Sequence, residues 1–152
     1  MNKVISVKEL LALVPKAVVW AKEQSARILK EGNSLSSAES KIAETVGVMH
    51  PELVRIFEVA SLPIPTDPEL REAALYLGLL GPAMVGITFG HGIYICVGKR
   101  TDRLLSHELR HVAQYERAGS IEDFLPTYLE QVAAFGYAKA PMEVDARNHE
   151  QS

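Results

Sequence analysis

The residues of this chain with the clearest potential for chemistry are His107, Glu108 and His111, which form the pattern H-E-x-x-H. If the segment is helical, the two histidines lie one turn apart, and their imidazole nitrogens can bind one metal ion. Glu108 projects about 100° around the helix from His107. From there its carboxylate can act as a general base toward a water molecule at the metal. The pattern therefore predicts a Zn2+ site with Glu108 as the catalytic residue. The alternative is an amphipathic helix that carries two partly exposed histidines and no metal.

A catalytic zinc site usually has three protein ligands, so a third one must lie outside this pattern. The extended form H-E-x-x-H-x-x-G-x-x-H is absent, because Gln114 and Arg117 occupy the positions of its glycine and its last histidine. Glu143, in the first turn of a predicted C-terminal helix, is a candidate, although an acid there also favours the helix dipole. Three weaker candidates lie in the same part of the chain: Asp145, Glu130 and His149.

The histidine pair needs a helix to present it. Thr101 or Asp102 can cap such a helix, which is expected to run to about Arg117, with Gly119 just beyond its end. On a helical projection the histidines occupy one face, and apolar residues lie roughly opposite. Arginines seven residues apart form a separate stripe that we expect to be solvated: Arg103, Arg110 and Arg117.

The segment before this helix has the clearest β-strand pattern in the sequence. Strand-forming residues between Ile87 and Val97 flank Gly90-His91-Gly92, which is typical of a turn. We therefore expect a β-hairpin close to the motif helix. Its strand could pair with the backbone of an extended peptide substrate, or it could simply close the core.

Three polar side chains near the motif are candidate contacts to a substrate or an oxyanion: His91, Tyr115 and Tyr137. His91 could polarise a substrate carbonyl, although histidines in turns are commonly exposed to solvent. Tyr115 follows His111 by one helical turn on nearly the same face. Either tyrosine could donate to an oxyanion, and packing in the core is the alternative for both.

The rest of the chain is predicted to be mostly helical. Residues 6–30 form one or two helices, because Pro15 could kink or divide them. A second helical region is expected over residues 37–58. A third helix begins after Asp67, its expected N-cap, and ends near Gly81-Pro82. After the motif helix, two more are expected over residues 120–135 and 141–149.

Nucleic-acid binding has little support in the sequence. Residues 41–56 have a weak helix-turn-helix pattern, with Gly47 near its turn. The net charge of −3 argues against a broad surface for a polyanion. A DNA-binding regulator is therefore only a third hypothesis for this chain.

The composition, with 47% hydrophobic and 23% charged residues in a chain of 152, is typical of a soluble globular domain. One cysteine, Cys96, excludes an internal disulfide. The N-terminus does not match a signal peptide, and the most apolar segment, residues 78–90, is too short to span a bilayer. We therefore expect a cytoplasmic protein with no membrane anchor.

Residues 85–147 resemble the small gluzincin-type metallopeptidase-like domains. Three motifs carry the resemblance: T-x-G-x-x-I in the hairpin, L-L-x-H-E-L-x-H-x-x-Q in the motif helix, and P-x-E-x-x-A in the last helix. The matching residues are Thr88, Gly90, Ile93, Leu104, Leu105, His107, Glu108, Leu109, His111, Gln114, Pro141, Glu143 and Ala146. Arg110 departs from the pattern, because these families more often have a small or apolar residue there.

The resemblance implies a mainly α, α+β fold of zincin type, with zinc bound by His107, His111 and Glu143. It also implies Glu108 as the catalytic base of a peptidase acting on a peptide or protein substrate. The expected organisation is one domain, with an N-terminal helical region (1–60) and a metallopeptidase-like core (83–147). The alternative hypothesis is a non-catalytic, metal-binding interaction module on a peptidase-like scaffold.

Overall fold

Six α-helices, one 3₁₀ turn and a three-stranded sheet form in residues 5–81 and 83–152, which the computed structural model describes. The chain is therefore an α+β protein, as predicted. The elements are α1 (Val7–Glu31), α2 (Ser37–Thr45), the 3₁₀ turn (Pro51–Leu53), β1 (Arg55–Val59), α3 (Pro68–Tyr76), β2 (Gly86–Phe89), β3 (Gly92–Cys96), α4 (Asp102–Ala118), α5 (Ile121–Phe135) and α6 (Pro141–Asn148).

The predicted hairpin is confirmed as β2 and β3, which pair antiparallel with Ile87 opposite Tyr94. Gly90 and His91 connect the two strands, and Gly90 has φ +65°, a conformation that favours glycine at a tight turn. β3 is the central strand and β2 is an outer strand of the sheet. The strand nearest the motif helix is therefore paired on one side only within the described part of the chain.

The prediction of a helical region over residues 37–58 is wrong in its second half. α2 ends at Thr45, and residues 55–59 form β1, which pairs in parallel with β3. Gly47 has φ +98°, which ends the helical path, and Ile56 of β1 is fully buried in the apolar core. A short apolar run of this kind suits a strand as well as a helix, and pairing with β3 decides between them. The helix-turn-helix pattern is wrong for the same reason.

The sheet separates two apolar clusters because side chains alternate along the central strand. Ile93 and Ile95 point to one face, where they pack with α2 and α4. Tyr94 points to the other face, where α1 and α5 cover it. α4 therefore rests on one face of the sheet, and α1 closes the opposite face.

Two N-terminal details differ from or refine the predictions. α1 is one continuous helix that includes Pro15, capped by the Ser6 side chain. α3 has the expected Asp67 cap, but it ends at Tyr76, before the expected end near Gly81-Pro82. Pro82 itself lies outside the described residues.

Among the residues described, no helix combines the length and the apolar character needed to cross a membrane.

The C-terminal helices follow the predicted boundaries closely. Thr101 caps α4, Ser120 caps α5 and Pro141 begins α6. The expectation of a solvated arginine stripe on α4 is wrong for Arg110, which is only 7% exposed. Its guanidinium donates from Nε to Asp145 Oδ2 over 2.7 Å and from Nη1 to the carbonyl of Val46 over 2.7 Å. Arg110 thus joins α4 to α6 and to the end of α2.

Candidate metal centre

Two elements bring the predicted ligand residues together. α4 presents His107 and His111, and α6 packs beside it and presents Glu143. His107 Nε2 lies 3.0 Å from Glu143 Oε1, and His111 Nε2 lies 3.0 Å from Glu143 Oε2. One ligand atom from each of the three residues lies within 4.8 Å of the others, so a single ion can contact all three.

Each histidine is oriented by an acceptor at its other ring nitrogen. His107 Nδ1 lies 2.9 Å from Glu150 Oε2, and His111 Nδ1 lies 2.7 Å from Gln114 Oε1. Both partners accept, so Nδ1 of each ring carries a proton and Nε2 is the nitrogen directed at Glu143. Hydrogen bonding of this kind is what metal-binding histidines generally require at the nitrogen that faces away from the metal.

Tyr128 on α5 contributes a further contact to Glu143. Its hydroxyl donates to Glu143 Oε2 over 2.6 Å. Glu143 is only 2% exposed and lies in the first turn of a short helix. Its carboxylate is therefore held from three directions, by two imidazoles and a phenol.

Glu108 is held separately, by the hairpin. Thr88 Oγ1 on β2 donates to Glu108 Oε1 over 2.9 Å, and Tyr115 donates to the carbonyl of Thr88 over 3.2 Å. A Cβ on Gly86 would lie 3.3 Å from Glu108 Cγ, so glycine at this position leaves room for the side chain. β2 therefore sets the position of the predicted catalytic carboxylate.

The site concentrates charge in a buried place, and the pKa values shift accordingly. Burial lowers the pKa of His107, but its hydrogen bond with Glu143 and the nearby charge of Glu108 outweigh this and raise it to about 9. The pKa of His111 is also raised, because Glu143 more than offsets its burial. The same contacts hold the pKa of Glu143 well below its usual value, although burial opposes them.

Glu108 behaves differently from Glu143. Burial raises its pKa, and the nearby histidines offset this only in part. A carboxylate with a raised pKa binds and releases a proton closer to neutral pH, as a general base and acid must. The two glutamates thus have environments that shift their pKa values in opposite directions, with one kept charged and the other able to carry a proton.

The donor set fits a zinc ion. Two imidazoles with Nε2 directed to a common point and one carboxylate form a ligand set found in catalytic zinc sites. The buried carboxylates also attract positive charge, as the raised pKa values of both histidines show. A divalent cation would supply that positive charge in place of the protons on Nε2 of the two histidines, which ligands must lose to bind a metal.

The weaker ligand candidates lie elsewhere. Asp145 accepts from Arg110 and from Gln114, whose amide it holds at 2.9 Å. His149 contacts the carbonyl of Asp145, and Glu130 is exposed on α5. Of these, Asp145 still supports the site, because it anchors the glutamine that orients His111.

The three candidate substrate contacts have different positions. Tyr115 and Tyr137 both line a cavity that also contacts Glu108, His111 and Glu143. Tyr115 is buried, and its hydroxyl is used to hold the Thr88 carbonyl. His91 lies at the hairpin turn, 3.0 Å from Glu116, and is not part of the cavity wall.

Comparison of the chain with protein-family models, with curated proteins and with solved structures gives no match. The resemblance to gluzincin-type domains therefore remains a prediction that rests on the residues of this chain.

Some residues that support the site can be found in the sequence and others cannot. Gln114 lies one helical turn after His111, and Thr88 belongs to the hairpin motif of the resemblance, so both carry a signal. Tyr128 and Glu150 carry none, because they reach the site only through the packing of α5 and the turn after α6.

Proposed function

We propose that this protein is a zinc-dependent peptidase, with the metal held by His107, His111 and Glu143 and with Glu108 as the general base. The strongest support is that these three side chains lie close together in a buried place, next to Glu108, whose carboxyl group has a raised pKa. Perturbed carboxylates next to a zinc-type donor set are characteristic of hydrolytic sites.

When bound, zinc supplies a Lewis acid that polarises a carbonyl and makes a water molecule more acidic. Glu108 accepts a proton from water and later donates it to the nitrogen of the departing amine. Thr88 occupies Oε1 of Glu108, so we assign the proton transfer to Oε2. Because Glu108 is buried, its proton-transfer role is protected from bulk solvent.

The edge of β2 is a suitable place for the substrate backbone. The amide of Cys96 donates to the carbonyl of Val85, so the alternating pattern directs the main-chain groups of Gly86 and Thr88 away from β3. Tyr115 already donates to the Thr88 carbonyl, so a substrate strand would pair chiefly with the main chain of Gly86. In the described part of the chain no further strand pairs with this edge. An extended peptide that adds to β2 would lie next to Glu108.

Metal content per chain is the first test. Elemental mass spectrometry of protein purified without chelator should give about one zinc per chain for the wild type and much less for Glu143→Ala. Glu130→Ala is the matched control, because Glu130 is exposed on a neighbouring helix, and it should keep the metal. Equal zinc in wild type and Glu143→Ala would remove Glu143 from the ligand set.

Turnover is the second test, and it separates the peptidase from the interaction module. With an unfolded protein as substrate, Glu108→Gln should bind zinc normally but cleave about 10²–10⁴-fold more slowly than wild type. Glu130→Gln should cleave like the wild type. A zinc-loaded wild type without turnover would favour the non-catalytic module, and a fully active Glu108→Gln variant would exclude Glu108 as the base.

A further inference from the structure

A cavity of about 110 Å³ adjoins the candidate metal centre. Glu108, His111 and Glu143 form part of its wall at one end. The rest of the wall comes mainly from α1, α3, α5 and β2, and from the segment after α3, with Pro65, Tyr115 and Tyr137 completing it. Two of these helices, α1 and α3, lie outside the stretch that resembles peptidase-like domains.

The wall is overwhelmingly apolar away from the centre. α1 contributes Leu13 and Trp20, α3 contributes Leu70 and Ala73, and α5 contributes Leu125. Its polar groups are those of Thr88, of the candidate site residues and of three tyrosines. Two of the tyrosine hydroxyls already donate hydrogen bonds, that of Tyr128 to Glu143 and that of Tyr115 to the Thr88 carbonyl. Among residues 5–81 and 83–152, no lysine, arginine or aspartate belongs to this wall. A ligand that enters it must therefore present hydrocarbon and keep its polar part at the metal centre.

We propose that this cavity is the specificity pocket of the enzyme and takes a branched aliphatic side chain, such as that of leucine, beside the peptide bond that is cleaved. The proposal rests on the proposed function, because it places the cleaved bond at Glu108. The branched aliphatic side chain is the feature of the substrate that α1 and α3 would recognise.

The size of the cavity decides among apolar groups. A protein cavity of roughly 150 Å³ lined by similar residues holds benzene. The cavity here is smaller, so it suits an aliphatic side chain better than an indole ring. A polar side chain of leucine's shape, such as asparagine, would lose its hydrogen bonds to water on entering an apolar wall.

Trp20 provides a direct readout of binding. It is the only tryptophan of the chain and it lines the cavity, with its ring edge-on to Phe89 at 5.4 Å. Because the peptides contain no tryptophan, all tryptophan emission comes from Trp20. Binding can therefore be measured in the zinc-loaded Glu108→Gln protein, without turnover.

The experiment compares two blocked peptides that differ in one side chain, N-acetyl-Gly-Leu-Gly-amide and N-acetyl-Gly-Asn-Gly-amide. We expect the leucine peptide to change Trp20 fluorescence with an affinity at least tenfold higher than the asparagine peptide. N-decanoylglycine tests an acyl chain as the alternative source of hydrocarbon. Equal affinities for leucine and asparagine, or tighter binding of N-decanoylglycine than of the leucine peptide, would overturn the proposal.

Filling the cavity tests its location. Ala73→Leu on α3 and Ala17→Leu on α1 each add three carbons toward the cavity and should weaken binding of the leucine peptide at least tenfold. Ala12→Leu is the matched control, because it makes the same change at an exposed position of α1. Circular dichroism confirms that each variant is folded. Unchanged binding in a folded cavity variant would overturn the proposal, and the peptide comparison in the parent protein holds even if a variant does not fold.

The two proposals fail in distinguishable ways. Wild-type turnover without preference for leucine over asparagine peptides would overturn the pocket and keep the peptidase. Leucine-selective binding to Trp20 without any turnover would keep the pocket and overturn the peptidase.

Discussion

The two walls of the candidate site are held by different forces. On one side, α4 and α6 meet through hydrogen bonds with charged partners, such as the two 3.0 Å contacts from the histidines to Glu143. On the other side, α1 and α3 face the site with leucine, alanine and tryptophan side chains and with no hydrogen bond to the ligand residues among the described contacts. The interactions in the first wall depend on direction, and those in the second depend on the shape of apolar side chains.

The two walls therefore suit different tasks, the polar wall metal binding and proton transfer and the apolar wall substrate selection. Charge-assisted hydrogen bonds fix the direction of a side chain, as ligands and a general base require. Apolar packing fixes volume but not direction, which is enough to select a side chain by size and polarity. Changes in the polar wall should therefore affect metal binding and rate, and changes in the apolar wall should affect which substrate binds.

Tyr128→Phe tests the polar wall most strongly among its supporting residues. The variant removes the hydroxyl that donates to Glu143 Oε2 over 2.6 Å but keeps the ring. We expect zinc affinity to fall about 10–100-fold, because partners of metal ligands typically contribute this much. Competition with a zinc indicator measures the change. Tyr76→Phe, at an exposed tyrosine of α3, should leave the affinity unchanged, and an unchanged affinity in Tyr128→Phe would show that its contact to Glu143 is dispensable.

Gly86→Ala tests whether β2 positions Glu108 independently of the metal ligands. The added Cβ would lie 3.3 Å from both Glu108 Cγ and Leu104 Cδ1, so the Glu108 side chain must shift by a few tenths of an ångström. We expect turnover to fall by about tenfold, since small misplacements of catalytic groups are costly, with zinc content unchanged. Steady-state kinetics and metal analysis measure both quantities.

Gly81→Ala is the matched control for that variant. A Cβ at Gly81 meets no atom of the described residues within 4 Å, so turnover of this variant should equal that of the wild type. Loss of zinc in Gly86→Ala would contradict the separation between the hairpin and the ligand set.

Glu39→Gln should have the smallest effect, because it alters an ion pair outside both walls. Glu39 accepts from Arg100 at 2.7 and 2.8 Å, which ties α2 to the segment before α4, and the arginine holds the pKa of Glu39 below its usual 4.5. We expect the free energy of unfolding at pH 7 to fall by about 0.5–1 kcal/mol. Since the folded-state pKa is lowered, this contribution is present above pH 4.5 and is lost as the pH falls through the folded-state value.

Urea unfolding of wild type and Glu39→Gln at pH 7 and at pH 3 measures this dependence. Glu58→Gln is the control, because Glu58 lies 3.5 Å from the same arginine and is more exposed. A difference in stability that did not shrink between pH 7 and pH 3 would contradict the assigned role of the Glu39 charge. Zinc content and turnover should not change in either variant.

Local patterns account for the parts of the fold that were predicted well. Thr101, Ser120 and Pro141 each act on the backbone within one helical turn, so the starts of α4, α5 and α6 can be read from a few neighbouring residues. The hairpin has a similarly local signal in Gly90 and its flanking strand formers. The two histidines of the candidate metal centre could also be named in advance, since they share one helical turn, and the family resemblance implied Glu143.

Other features depend on partners far away in the chain. β1 is a strand because β3 offers it hydrogen bonds, and Arg110 is buried because Asp145 and the Val46 carbonyl satisfy its charge and donors. Tyr128 reaches Glu143 only after α5 has packed across the site. In each case the deciding contact joins residues at least 15 positions apart, which a local pattern does not encode.

The sequence by itself determined the spacing of His107 and His111, the limits of the helix that carries them and the hairpin that precedes it. These depend on backbone preferences over a few residues, which are nearly independent of the rest of the chain. Only the tertiary structure decided that Glu143 meets both histidines, that Thr88 holds Glu108 and that α1 and α3 enclose an apolar cavity beside them. The physical reason is that the energy of burial and of a satisfied charge depends on which distant surfaces come together, and that is settled only when the whole chain packs.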